Sequence, residues 1–284
     1  ADAESGLEVP AGIPLWPSGQ YEGKGKVMMY QVDLNSDLGE SFGRYTLGMD
    51  DRIIPLISSA NVACGYHASD PVVMEKTIRE ACAAGIRLGA HPGYPDLMGF
   101  GRRNMNLTPE EARAYTLYQI SALGGMCRAQ GMQLQHVKPH GAMYNMAAKD
   151  YELSLAICQA VRDYDPGLVV MAQWGSETIR AARDCGLAVA YEVFADRGYE
   201  EDGSLVNRKK EGAFIRDEEE AIGRVIRMVK EGKVRAVTGR DIEIRADSVC
   251  VHGDGEKALL FVEKIRAALT AEGIAIRPLC EICG

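Results

Sequence analysis

No apolar run in this chain approaches the ~20 residues that a helix needs to cross a bilayer, so no membrane partner is expected. There is no surplus of basic charge either. Lys and Arg number 32 against 40 Asp and Glu, a formal net charge of −8. Phosphate backbones demand a concentrated basic surface, so nucleic acid is not expected as a partner. The N-terminus lacks a basic stretch followed by an apolar one, the mark of a secretory signal. A disulfide framework is also missing. Of eight cysteines, Cys64, Cys82, Cys127, Cys158, Cys185 and Cys250 lie in apolar contexts that suit free, buried thiols. That usage fits a reducing cytoplasm. Cys280 and Cys283 form a lone CxxC with no second ligand pair and no helix to open, which reads as an incidental tail over 280–284. No GxxxxGK[ST] run is present, so a Walker-type nucleotide site is not expected. HExxH, HxH and DxH are absent too, and no spacing calls for a tightly bound metal.

What is present is a regular alternation. The 284 residues are 46% apolar and 25% charged, enough to bury a large core without staples. Residues 1–26, rich in Gly, Pro and small polar residues, read as a flexible leader outside the fold. From Val27 short apolar strands alternate with helices. Strands are expected over 27–34, 58–64, 86–91, 133–138, 167–173, 187–194 and 248–253. Two shorter strands are expected within 233–246 and another over 274–279. A helix over 70–85 has Asp70 as N-cap, Pro71 next and Gly85 as its stop. Another opens with Thr108, Pro109 and Glu111, a capping-box spacing. Non-alternating strands fit a sheet covered on both faces. About seven strand–helix units on one core, with no linker, predict an α/β fold, a single-domain β/α barrel over 27–279.

Active sites of such folds gather at the carboxyl ends of the strands. Four of the five histidines follow strands there: His67, His91, His140 and His252. The first strand brings Asn35, Asp37 and Glu40. Alternation sends Asp33 and Asn35 to one side, while Asp37 falls in the following loop, where it either caps a turn or works as a base. The second strand brings Asn61 and Cys64, the latter reading as packing with nothing near it to lower its pKa. After the third strand, Gly99, Gly101, Arg102 and Arg103 suit an anion clamp or a solvated basic loop. Lys138 ends an apolar strand, which is costly unless the ammonium is paired or functional. It is a candidate to stabilise charge on an oxygen, or to act as a base if its pKa is depressed. His136, inside that strand, reads as a core histidine. Glu192, Asp196 and Arg197 follow at the sixth strand, where the last two can pair with each other, and Asp254 follows His252. Carboxylates, imidazoles, a lysine and arginines in one pocket suit hydrolysis of an amide or ester.

Taken together, DLNSDLGE (33–40), NVACGYHASDP (61–71), GAHPGYPDLMGFGRR (89–103), VKPHGAMYN (137–145), EVFADRGY (192–199) and VCVHGD (249–254) resemble the LamB/YcsF family. The resemblance runs from about Met29 to Leu279, leaving the leader and the cysteine-containing tail outside. It implies an irregular seven-stranded β/α barrel akin to glycoside hydrolase/deacetylase barrels. It also implies ATP-dependent opening of the lactam 5-oxo-L-proline to L-glutamate, with Mg2+ accompanying the ATP and two partner subunits completing the enzyme. On that reading Asp37, His67, His91, Lys138 and His140 are catalytic. Asn35, Asn61, Arg102, Arg103, Glu192, Asp196, Arg197, His252 and Asp254 bind substrate. A metal-dependent deacetylase or sugar hydrolase, and a non-catalytic binding subunit, remain the competing readings. Self-association is left open.

Overall fold

The computed structural model describes residues 30–251 and 256–283. The expected leader, the start of the first predicted strand, His252 and Asp254 therefore lie outside the described residues. Seven parallel strands close a barrel. They are β1 (Tyr30–Leu38), β2 (Ser59–Ala63), β3 (Arg87–His91), β4 (Leu134–Val137), β5 (Val169–Gln173) and β6 (Ala188–Phe194). After an antiparallel hairpin of β7 (Lys233–Arg235) and β8 (Asp241–Glu243) comes β9 (Ser248–Cys250), which pairs with both β6 and β1 and closes the ring. A further strand, β10 (Ile274–Ile276), lies parallel to the first residues of β1.

Helices α1 (Asp50–Ile53), α2 (Pro71–Ala84), α3 (Pro109–Ala129), α4 (Gly141–Ala147), α5 (Tyr151–Tyr164), α6 (Glu177–Asp184), α7 (Glu218–Glu231) and α8 (Glu256–Ala271) follow the strands. The sequence signals form as physical contacts. Asp70 accepts hydrogen bonds from the Val72 and Val73 amides, and Gly85 ends α2 at φ +72°. Thr108 and Glu111 exchange both bonds of a capping box at the start of α3. Among the described residues no helix is long and apolar enough to cross a membrane.

One expectation needs correction. Asp37 is not in a loop; β1 runs on to Leu38 and pairs Asp37 with Asn61 of β2. The polar run reads as a loop because parallel strands are usually apolar. Here Val32 and Leu34 join the main core, while Asp33, Asn35 and Asp37 find hydrogen-bonding partners on neighbouring strands. The C-terminal segment continues past the last strand. It forms a short helix, α9 (Leu279–Ile282), whose Leu279 is buried with Val169, Met171 and Ala190.

Candidate active site at the barrel mouth

The site is built from a buried polar ladder upward. Asp33 accepts hydrogen bonds from Ser58, Ser59 and Ser248. Asn35 Nδ2 donates to Ser248 Oγ at 2.7 Å. Asn61 Nδ2 then donates to Asn35 Oδ1 (2.7 Å) and to Asp37 Oδ1 (2.8 Å). His136 Nε2 lies 2.6 Å from Asn61 Oδ1, where it must be the donor. Burial drives this histidine's pKa down to about 3, so it is a neutral prop under the site, as expected of a core residue. The ladder fixes where the Asp37 carboxylate points.

Above it, Lys138 Nζ sits 2.9 Å from Asp37 Oδ1 and 2.6 Å from Glu192 Oε1. Burial pulls the Lys138 pKa down, but Asp37 and then Cys250 and Glu192 outweigh it, leaving it well above its usual value. Lys138 is therefore held in its charged, ammonium form. Glu192 Oε2 accepts from the Tyr144 hydroxyl at 2.7 Å.

The imidazoles line the other side. The backbone continues the sheet past β4, with Lys138 N–H donating to Ala90 O and His140 N–H to Pro92 O. This brings His140, the N-cap residue of α4, against His91. His91 Nε2 lies 3.4 Å from Asp37 Oδ2 and 2.9 Å from His140 Nδ1. His67 stacks flat on His140, with centroids 3.7 Å apart and planes 2° from parallel. Glu40, carried round by the Gly39 turn at φ +69°, places Oε1 3.5 Å from His67 Nε2 and 3.6 Å from His140 Nδ1. One ligand atom each from Glu40, His67, His91 and His140 falls within 4.8 Å of the others. Burial, then neighbouring histidines, lowers the pKa of both His67 and His140 well below the usual range.

The remaining predicted residues lie at the edge or hold loops. Arg102 is exposed and stacks on Phe100, 4.9 Å from its ring centre. Arg103 is paired with Asp96, which also caps the Leu97–Gly99 turn, so its guanidinium braces the loop. Arg197 is buried and donates to the carbonyls of Ala213 (3.0 Å) and Val206 (2.7 Å), with the Asp196 charge also acting on it. It pins the long loop after β6. Asp196 is half-buried beside it. Burial pushes the Cys64 thiol up to about 12, in keeping with a packing role.

The sequence profile described as "LamB/YcsF family" matches residues 32–284. The chain belongs to the LamB/YcsF family. The match takes in the C-terminal cysteines, which the motifs alone leave outside. Among LamB/YcsF relatives, a chain of Clostridium beijerinckii named as a 5-oxoprolinase subunit is 62% identical over 254 residues, 89% of this chain and 100% of the relative. Its counterpart from Pyrococcus abyssi is 54% identical over 254 residues, again 89% of this chain and 100% of the relative. The crystal structure of a lactam utilization protein from Thermus thermophilus superposes with a TM-score of 0.83 at 46% identity, covering 87% of this chain and 99% of that one.

Three site residues have no role in the sequence reading. Glu40, expected at the mouth but given no part in the chemistry, reaches across it to three imidazoles. Tyr144 stands four residues after His140, a one-turn helical spacing that is available as a signal. Cys250 shares alternation parity with Ser248 and reaches 3.4 Å from Lys138 Nζ.

Proposed function

We propose that this protein cleaves 5-oxo-L-proline to L-glutamate, coupled to ATP hydrolysis, as one component of a multi-subunit 5-oxoprolinase. The observation that carries the reading is the 62% identity, over the relative's full length, to a chain named as a subunit of that enzyme. The mouth geometry agrees with it. A five-membered lactam is a weak electrophile, and phosphorylation of its amide oxygen by ATP makes the ring carbon attackable. Water adds to that carbon, the ring C–N bond breaks and the nitrogen takes a proton. The resulting acyl phosphate is released as phosphate and glutamate by a second water. Lys138 lies where it neutralises oxygen or phosphate charge. Asp37, held by Asn61 and Lys138, orients or deprotonates the water, with His91 beside it. Arg102 at the edge suits the substrate carboxylate. With no Walker run in this chain, the ATP phosphates are assigned at least partly to partner subunits, with Mg2+.

The test is reconstitution with the products of neighbouring genes and measurement of glutamate release from 5-oxoproline with and without ATP. Release that needs ATP, all subunits and Asp37 supports the reading. Unchanged release with Asp37→Asn favours a pocket that only delivers substrate. Deacetylation of an amino sugar by the chain alone favours a free-standing hydrolase.

A further inference from the structure

His91 and His140 meet nitrogen to nitrogen, with Nε2 and Nδ1 only 2.9 Å apart. Each ring's other nitrogen faces a backbone carbonyl. His91 Nδ1 lies 2.7 Å from Lys138 O, and His140 Nε2 lies 2.9 Å from Phe100 O. A carbonyl oxygen only accepts, so each ring must place its N–H there. The two nitrogens that face one another are then both lone pairs, an arrangement that needs a positive centre. Beside them His67, fully buried, has neither ring nitrogen in a hydrogen bond.

We propose that Glu40, His67, His91 and His140 bind one divalent first-row transition ion, with zinc the best fit, at the barrel mouth. Imidazole with one carboxylate is the donor set such ions prefer. A tetrahedral ion with bonds of about 2.0–2.1 Å spaces its ligand atoms about 3.3 Å apart. The separations of 2.9, 3.5 and 3.6 Å bracket that value. The carbonyls behind His91 and His140 do what outer partners of metal-bound histidines do, fixing the tautomer and ring orientation. His67 is seated closely as well, since a Cβ on Gly93 would lie 2.6 Å from its Nδ1. His67 and His140 are stacked, so the rings must tilt out of parallel for both lone pairs to reach one ion. His91, His140 and Glu40 therefore make the first three contacts and His67 completes the set. Asp37 Oδ2, 3.4 Å from His91 Nε2, stands between this cluster and the Lys138 ammonium. An ion there puts a Lewis acid next to the proposed base. The inference holds whether or not the lactam is the substrate.

The competing answer is one extra proton shared by His91 and His140, which would satisfy that pair alone and leave both ring nitrogens of His67 outside any hydrogen bond. The experiment uses the full chain, stripped with chelator, dialysed against zinc and analysed for metal content. About one zinc per chain is expected, and cobalt in its place should show the visible bands of a four-coordinate N/O site. His91→Ala should abolish binding. Glu40→Gln should weaken it at least tenfold, with folding checked by circular dichroism. A Cys280→Ser, Cys283→Ser double variant should bind as the parent does. Zinc well below stoichiometric, or zinc kept by His91→Ala and lost with the two cysteines, overturns the proposal. Metal content is read independently of glutamate release, so a chain that binds zinc yet supports no release overturns only the lactam reading.

Discussion

Lys138 and Glu192 form a buried ion pair, Nζ to Oε1 2.6 Å, that joins the segment just after β4 to β6 across the barrel mouth. Glu192 is 1% exposed. Taking one partner from a buried pair leaves an uncompensated charge and typically costs about 3–5 kcal/mol. Lys138→Ala should therefore lose both stability and turnover. The two effects separate in a cycle. Asp37 is stranded as well, so adding Glu192→Gln removes one of the two uncompensated charges and should restore part of the denaturation midpoint, while ATP-dependent glutamate release stays at least a hundredfold down. Release that recovers together with stability would show Lys138 to be structural only.

Gly89 and His136 offer a test of the prop beneath Asp37. A Cβ built on Gly89 would lie 2.1–2.3 Å from three atoms of the His136 ring. Gly89→Ala must push that ring away from Asn61, and overpacking of this kind costs roughly 1–3 kcal/mol. Asn61 also holds Asp37, so release should fall as well. Shortening the obstacle in Gly89→Ala, His136→Ala should recover part of the stability. No recovery would mean that the glycine serves the β3 backbone and not the histidine.

The barrel is legible because its signals are local. Asp70, Pro71 and Gly85 mark out α2 within a single helix, and short apolar strands recur between such helices. The mouth is legible only in part. His67, His91, Lys138 and His140 each end a strand or its loop, so the topology alone gathers them. Asp37 is misplaced by a few residues, because what makes DLNSDL a strand is the hydroxyls and amides of Ser59, Asn61 and Ser248, distant in sequence. Glu40 is expected at the mouth, but its partners are not, for the same reason. Its neighbours in sequence are Gly39 and Ser41, and its neighbours in space are three histidines. Arg103 and Arg197 look like anion binders because a guanidinium's partner cannot be read from composition.

Those two arginines make a contrast with Arg102. Arg197 is buried, and its guanidinium satisfies two carbonyls of the loop after β6. Hydrogen bonds from charged donors are worth about 1.5–3 kcal/mol each, so with two of them Arg197→Ala should lower stability by roughly 3–6 kcal/mol. Arg103→Ala should chiefly loosen the Gly99–Arg102 turn, seen as faster hydrogen exchange there. Arg102→Ala should leave the melting temperature unchanged and raise the KM for 5-oxoproline. A KM effect confined to Arg103 would reverse the roles of the pair.

Asp33 gives the pH dependence. It is wholly buried, and desolvation, only partly offset by the hydroxyls of Ser248, Ser58 and Ser59, raises its pKa from 3.8 to about 6. For an acid whose pKa is higher folded than unfolded, the folded form binds the proton more tightly. The contribution to stability is then complete below pH 3.8 and is lost as pH rises through about 6. In full it amounts to at most ~3 kcal/mol. Asp33→Asn carries no such proton. Denaturant midpoints for parent and variant should therefore converge or cross as pH rises, with the stability difference moving by about 1–2 kcal/mol between pH 5 and 7.5 in favour of the variant. A constant difference across that range would mean that Asp33 stays ionised throughout and that the three hydroxyls fully compensate its burial.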